Sequence, residues 1–182
     1  MAGLTDLFGT YTFDPAHTQI GFVVRHAMVT NVRGQFPGVT GTAELHGDDP
    51  SASWVRVKLD VSSIDTRSAD RDAHLRSADF FDAETYKAIT FISKSVTLVD
   101  DDNVEIAGEL RIKDVTRDVV LPMEFTGRAT DPFGNERIGF EGALTVNRKD
   151  FGLTWNATLE TGGVLVSDKV KLTFEVSAIK AS

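Results

Sequence analysis

Four histidines, His17, His26, His46 and His74, carry most of the acid–base and metal-binding potential of this 182-residue chain, which has no cysteine. The missing thiols exclude a thiolate nucleophile, a disulfide framework and a cysteine-ligated zinc. His17 and His26 lie in the stretch FDPAHTQIGFVVRHAMVTNVRGQF, from Phe13 to Phe36, which reads as a single strand over His17 to His26. On an unbroken strand an odd separation sends two side chains to opposite faces. The pair therefore cannot share a metal unless a bulge intervenes. His26 keeps parity with Ile20, Phe22 and Val24, so it is expected to point inward. It is then either an imidazole hydrogen-bonded within the core, because burying it unpaired is costly, or a polar contact for a ligand head group. His17 reads as a structural contact at the strand start. His74 reads as a hydrogen bond from a helix to the sheet, or as a gate over a ligand. Asp72 and His74 are two apart on that helix and do not face each other. No Gly-x-Ser-x-Gly turn and no glycine-rich loop ending in lysine occurs. Neither a catalytic residue nor a metal site is expected.

What must position such residues is a set of strands. Period-2 alternation dominates the chain. Val55, Val57, Leu59 and Val61 share one face of SWVRVKLDV. Val104, Ile106, Gly108, Leu110 and Ile112 share one of NVEIAGELRIK, as do Val119, Leu121, Met123 and Phe125 in RDVVLPMEF. Ile138, Phe140, Gly142, Leu144 and Val146 align in RIGFEGALTVN, and Val170, Leu172, Phe174, Val176 and Ala178 in DKVKLTFEVSA. GVTGTAELH, KAITFISKSVTLV and the opening stretch bring the expectation to about eight strands. Lys113-Asp114-Val115-Thr116 reads as a tight hairpin and Asp131 to Asn135 as a longer one. One stretch breaks the period: Ser68 to Asp82 reads as a short helix capped by Ser68, with Asp70 and Asp72 in its first turn.

One helix cannot cover eight half-apolar strands, so the sheet must pack on itself as a sandwich or a closed barrel. Long strands favour a tilted barrel, whose interior side chains either fill or leave open for one small ligand. The inward glycines Gly41, Gly108 and Gly142 either permit strand bending or leave a central void. Arg148 is expected to pair with a carboxylate, and Trp155 to pack in the connection that follows.

The composition narrows the partners. The chain carries 19 basic and 27 acidic residues, a net charge of −8, which argues against nucleic acid and against anionic membrane surfaces. No apolar run is long enough for a membrane-spanning helix. MAGLTDLFGTYTFD has no basic and then apolar pattern of a signal peptide, so a single soluble, cytoplasmic domain with a folded core at about 11–180 is expected.

Several long motifs follow one another in order: FDPAHTQIGFVVRHAMVTNVRGQF, SSIDTRSADRDAHLRSADFFDAETYKAITF, GELRIKDVTRDVVLP, DPFGNERIGFEGALTVNRKDFGL and DKVKLTFEV. On these the chain resembles the YceI family of polyisoprenoid- and lipid-binding proteins, essentially from Tyr11 to Lys180. It departs from the family pattern at Tyr86-Lys87, where relatives commonly have Tyr-Pro, and at Asp114, where glycine is usual. Many relatives are exported. The resemblance implies an all-β, eight-stranded antiparallel lipocalin-like barrel with one short helix near a barrel end, enclosing a long apolar ligand. It implies no catalytic machinery and no required cofactor, with a bound isoprenoid or quinone as cargo. Phe22, Val24, His26, Val57, Leu59, Leu110, Met123, Phe125, Phe140, Leu144 and Phe174 are the expected ligand-binding residues. Each buried CH₂ contributes about 0.8 kcal/mol against an association cost of roughly 4–15 kcal/mol, so a long chain is favoured over a small ligand. Two further readings stay open: a lipid-modifying enzyme with His26 or His74 as acid–base, and a filled barrel acting as an interaction module or homodimer.

Overall fold

The computed structural model describes residues 3–160 and 162–181. Ten strands make one antiparallel sheet: β1 (Phe8–Phe13), β2 (Gln19–His26), β3 (Thr30–Gln35), β4 (Val39–His46), β5 (Trp54–Asp60), β6 (Ala88–Leu98), β7 (Asn103–Ile112), β8 (Val115–Thr130), β9 (Glu136–Asn147) and β10 (Val166–Lys180). The helix α1 spans Ala69–Arg76 between β5 and β6.

The sheet closes through β10. One edge of β10 pairs with β9 from Lys169 to Ile179. The other edge pairs with β2 over Val166 to Glu175 and with β1 over Ala178 to Lys180. β1 and β2 thus lie end to end along one position of the ring. β3 and β4 share the next position, β3 on β2 and β4 on β1. Ten strands therefore fill eight positions, and the result is the expected barrel with two strands more than the alternation suggests. The turn Asp14–His17 separates β1 from β2, so His17 is outside the strand altogether. Its Nδ1 lies 2.7 Å from Asp14 Oδ2.

The antiparallel order gives the barrel two rims. The lower rim carries the 3₁₀ turn Leu4–Asp6 and the β4–β5, β6–β7 and β8–β9 connections. The upper rim carries α1, the β2–β3 and β7–β8 turns and the long β9–β10 connection. α1 starts where expected, with the Ser68 side chain accepting from Arg71 N, but it stops at Arg76 rather than Asp82. The Ser77 hydroxyl caps His74 O, and the chain turns there so that Phe80 and Phe81 face the interior. In the β7–β8 hairpin it is Lys113, not Asp114, that takes the left-handed conformation, at φ 58°.

The inward glycines are seats for large side chains, three of them rings. A Cβ on Gly41 would stand 2.4 Å from the Phe13 ring, and one on Gly34 2.2 Å from the Phe22 ring. On Gly108 it would meet Ile92 O at 2.5 Å and the Phe91 ring at 2.6 Å, and on Gly142 Pro122 O at 2.3 Å and Met123 Sδ at 2.6 Å. Each glycine lets a large side chain lie flat against the wall. Because the Gly108 clash involves backbone, Gly108→Ala is expected to lower stability by about 1–3 kcal/mol, read as a lower urea midpoint.

A polar clamp ties the β1–β2 break to the β8–β9 loop. Arg137 donates from Nη1 to Asp14 Oδ2 at 2.7 Å and from Nε to Asp131 Oδ2 at 2.8 Å. The hydrogen bonds from Arg137 and then His17 hold Asp14 down to about 2. Burial pushes Asp131 up, but hydrogen bonds from Asn135, Arg137 and Phe133 N outweigh it and bring this carboxyl to about 2 as well. Both values lie below the ordinary 3.8, so the stability these groups contribute is complete above that value and disappears as pH falls toward 2. The urea midpoint of Arg137→Met should fall furthest below wild type above about pH 5 and converge on it near pH 2.

Candidate functional site

The inward faces enclose a cavity of about 270 Å³. β2 supplies Ile20, Phe22 and Val24; β5 supplies Val55, Val57 and Leu59; β10 supplies Val170, Leu172, Phe174, Val176 and Ala178. Leu75, Phe80, Phe81, Phe151 and Leu153 bound the upper end, and Leu4, Leu7 and Pro50 the lower. The wall is almost wholly apolar. Its few polar members are Tyr11, His46, Ser53 and Arg148.

Arg148 sits in the 3₁₀ turn Arg148–Phe151 and is 4 % exposed. Its carboxylate partner is Asp168, a distant one with Oδ1 3.8 Å from Nη2. Its guanidinium instead donates to four backbone carbonyls, Ser167 O from Nε, Leu153 O and Trp155 O from Nη1, and Val166 O from Nη2. A planar fork of five donors suits this cluster of divergent acceptors. Burial pulls its pKa down, with Asp168 opposing. The residue therefore fastens the β9–β10 connection over the upper rim.

His74 belongs to the same end. Its Nε2 lies 2.9 Å from Asp79 Oδ2 in the turn after α1, so the expected bond to the sheet is not made. Its ring instead packs edge-on against Trp155, at 4.8 Å, and Phe80, at 5.1 Å. Trp155 is packed as expected, with Phe80 5.3 Å away.

Of the expected ligand-binding residues, Phe22, Val24, Val57, Leu59, Leu110, Met123, Phe140 and Phe174 lie in the cavity wall. Three do not. His26 is exposed rather than inward: it is the last residue of β2, opposite Val166, where the register with β10 shifts between Val166 and Val170. Phe125 is buried, but it packs on Phe140 at 5.4 Å beside the bulge between Phe125 and Gly127. Leu144 is half-buried and outside the wall, just past Met123↔Gly142, the last β8–β9 pair. The histidine in the wall is His46, at the lower rim, with Nε2 3.0 Å from Glu44 Oε1. Its position at the end of an alternating strand was the only sequence signal for it. Nothing in the sequence marked Ser53 or Leu7, and only the short alternation of β1 marked Tyr11.

A closed antiparallel barrel around one apolar cavity, capped by a short helix, defines a lipocalin-like barrel. More particularly, the chain belongs to the YceI family: the profile of the YceI-like domain matches residues 11–178. A UPF0312 protein of Staphylococcus aureus (strain MRSA252) is 36% identical over 169 residues, 92% of this chain and 95% of that protein. Among solved structures, the YceI protein of Campylobacter jejuni is 33% identical with a TM-score of 0.73, covering 93% of this chain and 96% of that one. Burkholderia cenocepacia BcnA superposes with a TM-score of 0.78 at 22% identity, over 91% of this chain and 98% of that one. A Saccharophagus degradans domain described as polyisoprenoid-binding gives a TM-score of 0.73 at 14% identity, over 96% and 100%.

Arg148→Met should cost about 3 kcal/mol or more, since it strips several enclosed carbonyls of their donor. Arg148→Lys should recover only part of this, because a lysine ammonium cannot reproduce the fork. Both are read from chemical denaturation midpoints.

Proposed function

We propose that this protein binds one long apolar molecule inside the barrel, without altering it chemically, for storage, transport or sensing. An isoprenoid, an isoprenoid quinone or a fatty-acyl chain fits that description. The observation that carries the reading is the cavity wall, built almost entirely from Val, Leu, Ile, Met and Phe. Such a wall offers an apolar chain about 25 cal/mol for each Å² removed from water and offers a charged or sugar-like molecule few partners. The polyisoprenoid-binding description of the Saccharophagus degradans domain, which shares the fold, supports the same ligand class. Neither His26 nor His74, the two histidines read as acid–base candidates, lies in the wall.

Native mass spectrometry before and after organic extraction tests the proposal. The extracted protein should take up one isoprenoid or acyl chain from a mixture. Leu110→Trp, which fills the bore, should weaken uptake at least tenfold, whereas His26→Ala should leave it unchanged. A protein that emerges with a homogeneous unliganded mass and takes up nothing would sink the reading.

A further inference from the structure

Tyr11 stands on β1 between Ala43 of β4 and Lys180 of β10, toward the lower rim. Its side chain is part of the cavity wall and is 0 % exposed. Its hydroxyl has no hydrogen-bond partner, and it is the one buried side-chain polar atom among the described residues in that condition. An enclosed hydroxyl left unpaired disfavours the folded state by about tenfold or more, and phenylalanine would fill the same space without that penalty. The other polar groups of the wall are engaged. His46 Nε2 meets Glu44, Ser53 Oγ accepts from His46 N, and Arg148 donates to four carbonyls.

Electrostatics narrows what the hydroxyl could meet. Burial, with Glu136 adding to it and Arg128 opposing, raises the phenol pKa, so at neutral pH it is a donor. The lower-rim loops carry Asp48, Asp49, Asp100, Asp101 and Asp102, while the cations at this end, Arg128 and Lys180, are both engaged by Glu136, at 2.7 and 3.8 Å. A carboxylate or phosphate is disfavoured at this end; an uncharged oxygen is not.

We propose that Tyr11 is a head-group subsite, whose hydroxyl donates a hydrogen bond to a neutral oxygen at the leading end of the apolar chain: a ketone or quinone carbonyl, an ester or an alcohol. The cargo thus lies with its polar end toward the lower rim. The hydroxyl is covered in the unliganded barrel, so the leading oxygen reaches it by parting the side chains around it. The inference rests on the barrel being a container for an apolar chain and adds the orientation and chemical class of the cargo.

The test uses three probes of matched length with the extracted full-length protein: geranylgeraniol, geranylgeranyl phosphate and the hydrocarbon phytane. Wild type should bind geranylgeraniol more tightly than the phosphate. Tyr11→Phe should weaken geranylgeraniol about tenfold, the contribution of one neutral hydrogen bond, and leave phytane as tight or tighter. Its melting temperature should match or exceed that of wild type. Equal affinity of wild type and Tyr11→Phe for geranylgeraniol, or equal losses for geranylgeraniol and phytane, would overturn the subsite while leaving the container reading intact. Uptake of none of the three would overturn both.

Discussion

The structure depends on the closure of its sheet through β10. An open sheet of half-apolar strands would expose both a greasy face and two edges of unpaired amides and carbonyls. β10 removes much of that liability by pairing along one side with β9 and along the other with β2 and then β1. Its length makes this possible: fifteen residues, long enough to serve two partners in succession on the same edge. Once the ring is joined, the inward faces have nowhere to go but toward one another, and the cavity follows from geometry. The Arg137 clamp and the Arg148 knot then secure the places where the ring is discontinuous, the β1–β2 break and the long connection over the upper rim.

Much of this fold can be read from alternation alone. The faces of β5, β7, β9 and β10 are clean, with small or apolar residues at every second position. β3 is different. Thr30, Asn31, Arg33 and Gln35 leave Val32 as its one large apolar residue, so it has no hydrophobic period to detect. What places it is the pairing with β2, which is a long-range fact. β1 does alternate, with Tyr11 and Phe13 inward, but Gly9 interrupts the pattern and the strand is short. The helix was legible at its start, through the Ser68 cap, and illegible at its end, because Ser77 and the inward demand of Phe80 and Phe81 decide where it stops.

The candidate site divides along the same line. Parity predicts which side of the wall a residue occupies, and for most of the cavity that suffices. It does not say where regular pairing ends along a strand, which is why His26 keeps the right parity and is still exposed. Nor does it report that the pairing of β8 with β9 ends at Met123↔Gly142, just before Leu144, which stands outside the wall. Arg148 and Tyr11 are harder still. The partners of the first are backbone carbonyls, invisible in a list of side-chain types, and the significance of the second lies in a partner that the folded chain does not provide.

The pairing of glycines with rings has a consequence for how such a barrel can diverge. Phe13 lies across Gly41, Phe22 across Gly34 and Phe91 across Gly108. Adding one methyl group beneath the Phe13 or Phe22 ring would lift it toward the axis, whereas at Gly108 the methyl would also meet Ile92 O; trimming any of the rings would do the opposite. The calibre of the bore is therefore adjustable in small steps at several heights, independently of the polarity of its wall and of the groups at its ends. A lineage could widen or narrow its barrel to admit a bulkier or slimmer chain while leaving the apolar character of the lining as it was.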